Sequence, residues 1–210
     1  MGKQGIINVI TKEGTGEIIE KKSRFIGNAF YVGNTSDAEK KIAEISKKYW
    51  DARHNCYAYV IGEKGENSRF SDNGEPSGTA GKPILEVING RGITNVLVIV
   101  TRYFGGVLLG TGGLVRAYTQ AAQACIDNSE IGQLAYAQKM TVIVSYNLIN
   151  NIQYYLSQNG INIQDSRYGA EAEFDICVKD TEADNIKTGL TQKCEGRLKI
   201  IPIDVGYYVL

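Results

Sequence analysis

The stretch Asn95-Val96-Leu97-Val98-Ile99-Val100-Thr101 decides the fold. A short aliphatic run of this kind, rich in β-branched residues and bounded by turn-formers, reads as a central strand. The glycine-rich segment 105–113 follows. It leads into a helix on which Leu114, Tyr118, Ala121, Ala122 and Cys125 share one face. Upstream, residues 56–61 read as a buried strand. Residues 6–33 read as extended, with turn signals at Gly14, Gly16, Gly33 and Asn34. Ser36 is expected to start a helix, with Glu39 completing a capping box and Ala38, Ile42, Ile45 and Tyr49 as its apolar stripe. Residues 62–78 read as a long polar loop, and residues 79–88 as a helix that tolerates Pro83 only in its first turn.

Near residue 135 the pattern changes. A strand over 140–146 is followed by a helix capped by Asn147 and ended by Gly160. Two strands near 161–168 and 171–178 come next, then a helix capped by Thr181 with Glu182 and Asp184 in its first turn, then a last strand within 197–209. The order β-α-β-β-α-β is the ferredoxin-like split. The expectation is an α+β chain of two domains, residues 1–135 and 136–210, without repeats or a proline-rich linker.

Composition excludes several function classes. Lysine plus arginine equals aspartate plus glutamate at 23 each, which argues against a strongly basic nucleic-acid binder but leaves room for a local basic patch. Cys56, Cys125, Cys177 and Cys194 lack metal spacing and sit in or beside apolar runs, the pattern of buried thiols in a reducing, cytoplasmic setting. The longest aliphatic stretch, 96–100, is too short to cross a membrane, so no membrane partner is expected. Residues 1–5 are polar, without a signal-peptide core.

Three clusters within 51–116 could carry function. The first is Asp51-Ala52-Arg53-His54-Asn55-Cys56, which contains the single histidine. Arg53 beside His54 disfavours its protonation and Asp51 favours it. The second is Phe70-Ser71-Asp72-Asn73-Gly74-Glu75-Pro76-Ser77-Gly78-Thr79-Ala80-Gly81-Lys82-Pro83. Asp72 and Glu75 are candidate paired carboxylates or magnesium ligands. Thr79 and the amides after it would open a helix whose N-terminus, helped by Lys82, suits a phosphate. The same residues also serve turns and caps.

The third cluster runs from Thr101-Arg102-Tyr103-Phe104 through Gly105-Gly106-Val107-Leu108-Leu109 to Gly110-Thr111-Gly112-Gly113-Leu114-Val115-Arg116. It is no P-loop, because Thr111-Gly112 replaces the required Lys-Ser/Thr, and no dinucleotide fingerprint, because Val115 stands where glycine is needed. A backbone cradle at Gly110–Gly113 flanked by Arg102 and Arg116 remains. With one histidine and no Gly-x-Ser-x-Gly elbow, metallopeptidase and α/β-hydrolase chemistry lack their parts.

Together the strings Asp51–Cys56, Phe70–Pro83 and Arg102–Val115 resemble the YigZ/Impact family. The resemblance implies a first domain folded like the second domain of ribosomal protein S-five and a ferredoxin-like tail similar to the last domain of elongation factor G. It also implies a place near translation. Eukaryotic members of the Impact branch regulate translation by competing for an activator of a stress kinase, largely through an extra N-terminal domain that this chain lacks. The proline-dipeptidase label attached to some bacterial relatives finds no metal ligands here.

Three functions follow as expectations. The first is a non-enzymatic protein that binds RNA, the ribosome or a translation factor, with Arg53, Lys82, Arg102 and Arg116 meeting phosphates and Tyr103 and Phe104 meeting bases. The second is an enzyme for a phosphorylated or nucleotide-like small molecule, using His54 as base with Asp72 and Glu75 on a metal. The third is a protein-interaction module, which predicts an exposed apolar patch.

Overall fold

The computed structural model describes residues 6–209; the opening segment 1–5 lies outside the described residues. Two compact units result, one formed by Ile7–Gln133 and one formed mainly by residues 134–209.

The first unit runs β1 (Ile7–Lys12), β2 (Gly14–Glu20), β3 (Ser23–Tyr31), α1 (Thr35–Lys48), β4 (His54–Ile61), β5 (Asn67–Ser71), α2 (Gly81–Arg91), β6 (Val96–Tyr103) and α3 (Thr111–Asp127). Its main sheet has the order β2-β3-β6-β4-β5, with every neighbour antiparallel. The quoted aliphatic stretch is therefore the middle strand. Its side chains alternate between two cores: Val96, Val98 and Val100 pack with α2 and α3, while Leu97 and Ile99 pack with α1. A strand buried on both faces has no polar side to display, which is why β6 reads as a continuous run.

Gly14 and Gly16 lie inside β2, not in turns, and with Gly27 of β3 they face α3. A Cβ at any of the three would overlap the α3 chain at Ala121, Ala124 or Cys125. The glycines let the helix backbone settle directly on the sheet.

Several local expectations move. The N-cap of α1 is Asn34, not Ser36. Its Oδ1 accepts from the Asp37 amide (3.0 Å) and its Nδ2 donates to Asp37 Oδ2 (2.7 Å). A carboxamide both donates and accepts, so it closes both halves of a box with the short Asp37 side chain. The segment read as one loop holds β5, an edge strand so exposed that its sequence carries no apolar alternation. Helix α2 begins at Gly81, and Thr79 instead forms a turn through Oγ1 to Pro76 O (2.6 Å).

The second unit comprises β7 (Glu130–Val144), which begins in the first unit, a 3-10 turn (Tyr146–Leu148), α4 (Ile149–Gln158), β8 (Ile163–Tyr168), β9 (Ala172–Lys179), α5 (Asp180–Lys193) and β10 (Leu198–Val209). The strands lie in the order β10-β7-β9-β8, all antiparallel. Met140, Val142, Phe174 and Ile176 meet Ile152 and Leu156 of α4 and Ile186 and Leu190 of α5 in one core. Asn147 sits within the 3-10 turn instead of capping α4. Thr181 lies inside α5, because β9 runs straight into that helix and leaves Lys179 at the cap position. Gly160 ends α4 as read: with φ +67 it lets its own amide reach Ser157 O (3.1 Å) and the Ile161 amide reach Leu156 O (2.9 Å).

The face of this sheet away from the helices carries Arg167, which pairs with Asp165 (2.9 Å), Glu173 (3.1 Å) and Asp175 (2.8 Å). The guanidinium, together with the Thr141 hydroxyl, holds the Asp175 carboxyl down at about 2. The four cysteines are free and buried. Among the described residues no helix is long and apolar enough to cross a membrane.

Two outcomes are expected. Asn34→Ala removes the α1 cap and lowers unfolding stability by about 1 kcal/mol in a urea titration. Asp175→Asn lowers the urea midpoint at neutral pH. Because the folded carboxyl titrates below its unfolded value, its contribution is complete above about pH 4 and is lost as pH falls towards 2. The gap between variant and wild type therefore closes over that interval.

Candidate functional site

The registers place one end of the first sheet unambiguously. Glu20 pairs with Ser23, Arg24 with Tyr103, His54 with Arg102, and Tyr57 with Ser71. Four connections leave from this end: the turn Lys21-Lys22, the loop 49–53, the loop 72–80 and the loop 104–110. All three sequence clusters thus come together here, although residues 57–69 and 84–100 separate them along the chain.

The carboxylates of the three clusters, Asp51, Asp72 and Glu75, all accept hydrogen bonds within the protein. Asp72 accepts from the amides of Gly78 (2.8 Å), Ala80 (3.0 Å) and Gly81 (2.8 Å). The anion site expected at the N-terminus of α2 therefore exists, and the chain's own carboxylate fills it. Glu75 is buried. Its Oε1 accepts from Arg102 Nη1 (2.7 Å) and from the Tyr118 hydroxyl (2.9 Å). Asp72 and Glu75 thus have separate sets of donors. Among the described residues no three of His, Cys, Asp and Glu are grouped to hold a metal ion.

Arg102 is buried as well, a correction to its expected role as an exposed phosphate contact. Only 7% of it is accessible, its Nε lacks a hydrogen-bond partner, and its guanidinium lies 5.4 Å from the Phe25 ring centre and 5.5 Å from that of Phe104. Two aromatic faces and one carboxylate replace the water such a cation would otherwise hold. Cys56 extends the network. Its Sγ lies 2.9 Å from Asp72 O and 3.3 Å from the Tyr118 hydroxyl, either of which can accept its one proton. Burial pushes the thiol up to about 12, so it is neutral and unreactive near pH 7. Burial also raises the Tyr118 phenol, which remains a donor to Glu75.

His54 is held through Nδ1, which lies 2.9 Å from Asn73 O. That contact is to a backbone carbonyl, and among the described residues no carboxylate is hydrogen-bonded to the ring. Tyr103 donates to Asp51 Oδ1 (2.7 Å), which raises its phenol.

The remaining groups face outward. Arg53, Lys82 and Arg116 are exposed and form no ion pair among the described residues. Gly110 opens α3 with φ +73 and no side chain caps its first turn, so the amides of the Thr111, Gly112 and Gly113 turn stay open at the same end. Exposed apolar groups border them: Phe104 at 52%, Val107 at 43%, Leu108 at 82% and Trp50 at 82%.

Sequence reasoning missed the Cys56–Tyr118–Glu75 link and the Lys21-Lys22 turn. The first had a signal: a tyrosine on a wholly apolar helix face needs a buried partner for its hydroxyl. The turn had none, because its residues are the wrong type for the conformation they adopt.

Glu75→Ala leaves Arg102 charged and unpaired inside the protein. It is expected to cost about 3–5 kcal/mol of stability, read as a shifted urea midpoint. Glu75→Gln keeps an acceptor and falls between.

Residues 21–126 match the family described as Impact N-terminal domain, and residues 142–197 match a domain of unknown function, DUF1949. The chain is 34% identical to IMPACT family member YvyE of Bacillus subtilis (strain 168), over 94% of this chain and 91% of that protein. It is 31% identical to IMPACT family member YigZ of Escherichia coli (strain K12), over 88% and 91%. A solved structure titled as that of a hypothetical protein superposes with a TM-score of 0.63 at 29% identity, covering 95% of this chain and 98% of the other. With its mixed α+β architecture and its Impact N-terminal and DUF1949 domains, the chain belongs to the IMPACT family.

Proposed function

We propose that this chain is a non-enzymatic protein that binds RNA, the ribosome or a translation factor, and that its working surface is the loop end of the β2–β5 sheet. One observation carries the reading. Three clusters distant in sequence converge there, their acids are engaged in holding the loops, and the cations Arg53, Lys82 and Arg116 are left facing solvent. A surface with immobilised acids and free cations binds anions without transforming them.

The assignment of the first unit to the type of ribosomal protein S-five domain two, and of the second to the ferredoxin-like type of the last domain of elongation factor G, belongs to the same proposal. The strand order β10-β7-β9-β8 supports the latter. The place near translation that the Impact branch implies, and a cytoplasmic setting, fit the same reading. The second unit is the weaker candidate for RNA contact, since three carboxylates surround Arg167 on its open face. A protein-contact reading draws on the exposure of Trp50, Val107 and Leu108.

Co-sedimentation with ribosomes and bulk RNA from lysate, at low and moderate salt, tests the proposal. The wild type is expected to sediment in a salt-sensitive way, and Arg53→Ala/Lys82→Ala/Arg116→Ala to remain in the supernatant with its unfolding midpoint unchanged. A wild type that stays in the supernatant at both salts overturns the proposal.

A further inference from the structure

Glu20 pairs with Ser23, so β2 and β3 are joined by two residues only. Those residues are Lys21 and Lys22, with φ +46 and +66. A two-residue hairpin with both central residues left-handed favours Asn-Gly, because a Cβ crowds its own backbone there. Here two lysines adopt it, and both are exposed. Neither ammonium has an ion-pair partner among the described residues. Strain held at an exposed position points to a use for the side chains.

The turn is also built into its surroundings. Ser23, entirely buried, accepts from the Gly105 amide through Oγ (3.1 Å). A Cβ at Gly105 would overlap the Lys22 carbonyl and the Ser23 nitrogen. The lysine turn and the loop 104–110 are therefore in backbone contact, which sets two ammonium groups beside a loop that begins with Phe104. That ring is half exposed, with the Arg102 guanidinium packed against it from within.

We infer that the Lys21-Lys22 turn and Phe104 form a contact site for single-stranded RNA, with the lysines on successive phosphates and the phenyl ring stacked on a base. The inference rests on the RNA reading of this sheet end and deepens it. The combination of adjacent cations and an open aromatic face suits an unpaired strand, whose bases are free to stack. In a duplex the bases are stacked on each other and offer the ring no free face.

The test uses the full chain and the fluorescence anisotropy of a labelled oligouridine of about 12 nucleotides. Lys21→Asn/Lys22→Gly removes both charges and installs the favoured turn. It is expected to raise the unfolding midpoint yet weaken binding about tenfold and reduce the log–log salt slope by about 1.4. Phe104→Leu is expected to weaken binding about fivefold or more with the slope unchanged. If these variants bind like wild type while the Arg53/Lys82/Arg116 triple variant does not, the turn is not the contact and the wider surface stands. If the wild type binds no RNA at low salt, both proposals fall. Equal competition by duplex RNA of the same length overturns the single-strand assignment. Binding of anionic phospholipid vesicles in place of RNA overturns the ligand class.

Discussion

The Glu75 carboxylate is the point on which the first unit turns. It reaches inward from an irregular loop to accept from Arg102 of β6 and Tyr118 of α3, tying loop, sheet and helix to one buried anion. Neither charge could be buried alone, since an unpaired ion inside a protein costs several kcal/mol. The pair therefore forces the loop into one course. That course brings Asp72 onto the first amides of α2 and the Asn73 carbonyl against His54. The loop over 72–80, though without regular structure, is thereby tied to β4, β6, α2 and α3.

This arrangement separates two kinds of charged residue that composition treats alike. Asp72, Glu75 and Arg102 hold the architecture. Arg53, Lys82, Arg116 and the lysines of the β2–β3 turn stay hydrated at its rim. Engaging the acids of the three clusters locally leaves the cations as the free charges of those clusters, although the chain as a whole has equal numbers of acidic and basic side chains.

Local rules and tertiary structure disagree most where function is proposed. Asn34 and Gly160 behave as helix ends should. Lys21-Lys22 does not behave as a hairpin turn should, and its conformation is imposed by the pairing of β2 with β3 and by the close approach of Gly105. Such conflicts gather at working sites, because a stable local choice was given up for the side chains placed there.

The sequence by itself determined the two-part α+β organisation, the central strand at 96–100, the apolar face of α3 and the three clusters with their family resemblance. These are signals of periodicity and local composition, which a short window contains. Only the tertiary structure decided that β5 lies hidden in a polar loop, that Gly14 and Gly16 seat a helix, and that Arg102 is buried beside Glu75 while Arg53 is free. Each of these depends on which residue from a distant segment arrives opposite. Pairing across the sheet sets that, and no single stretch of chain records it.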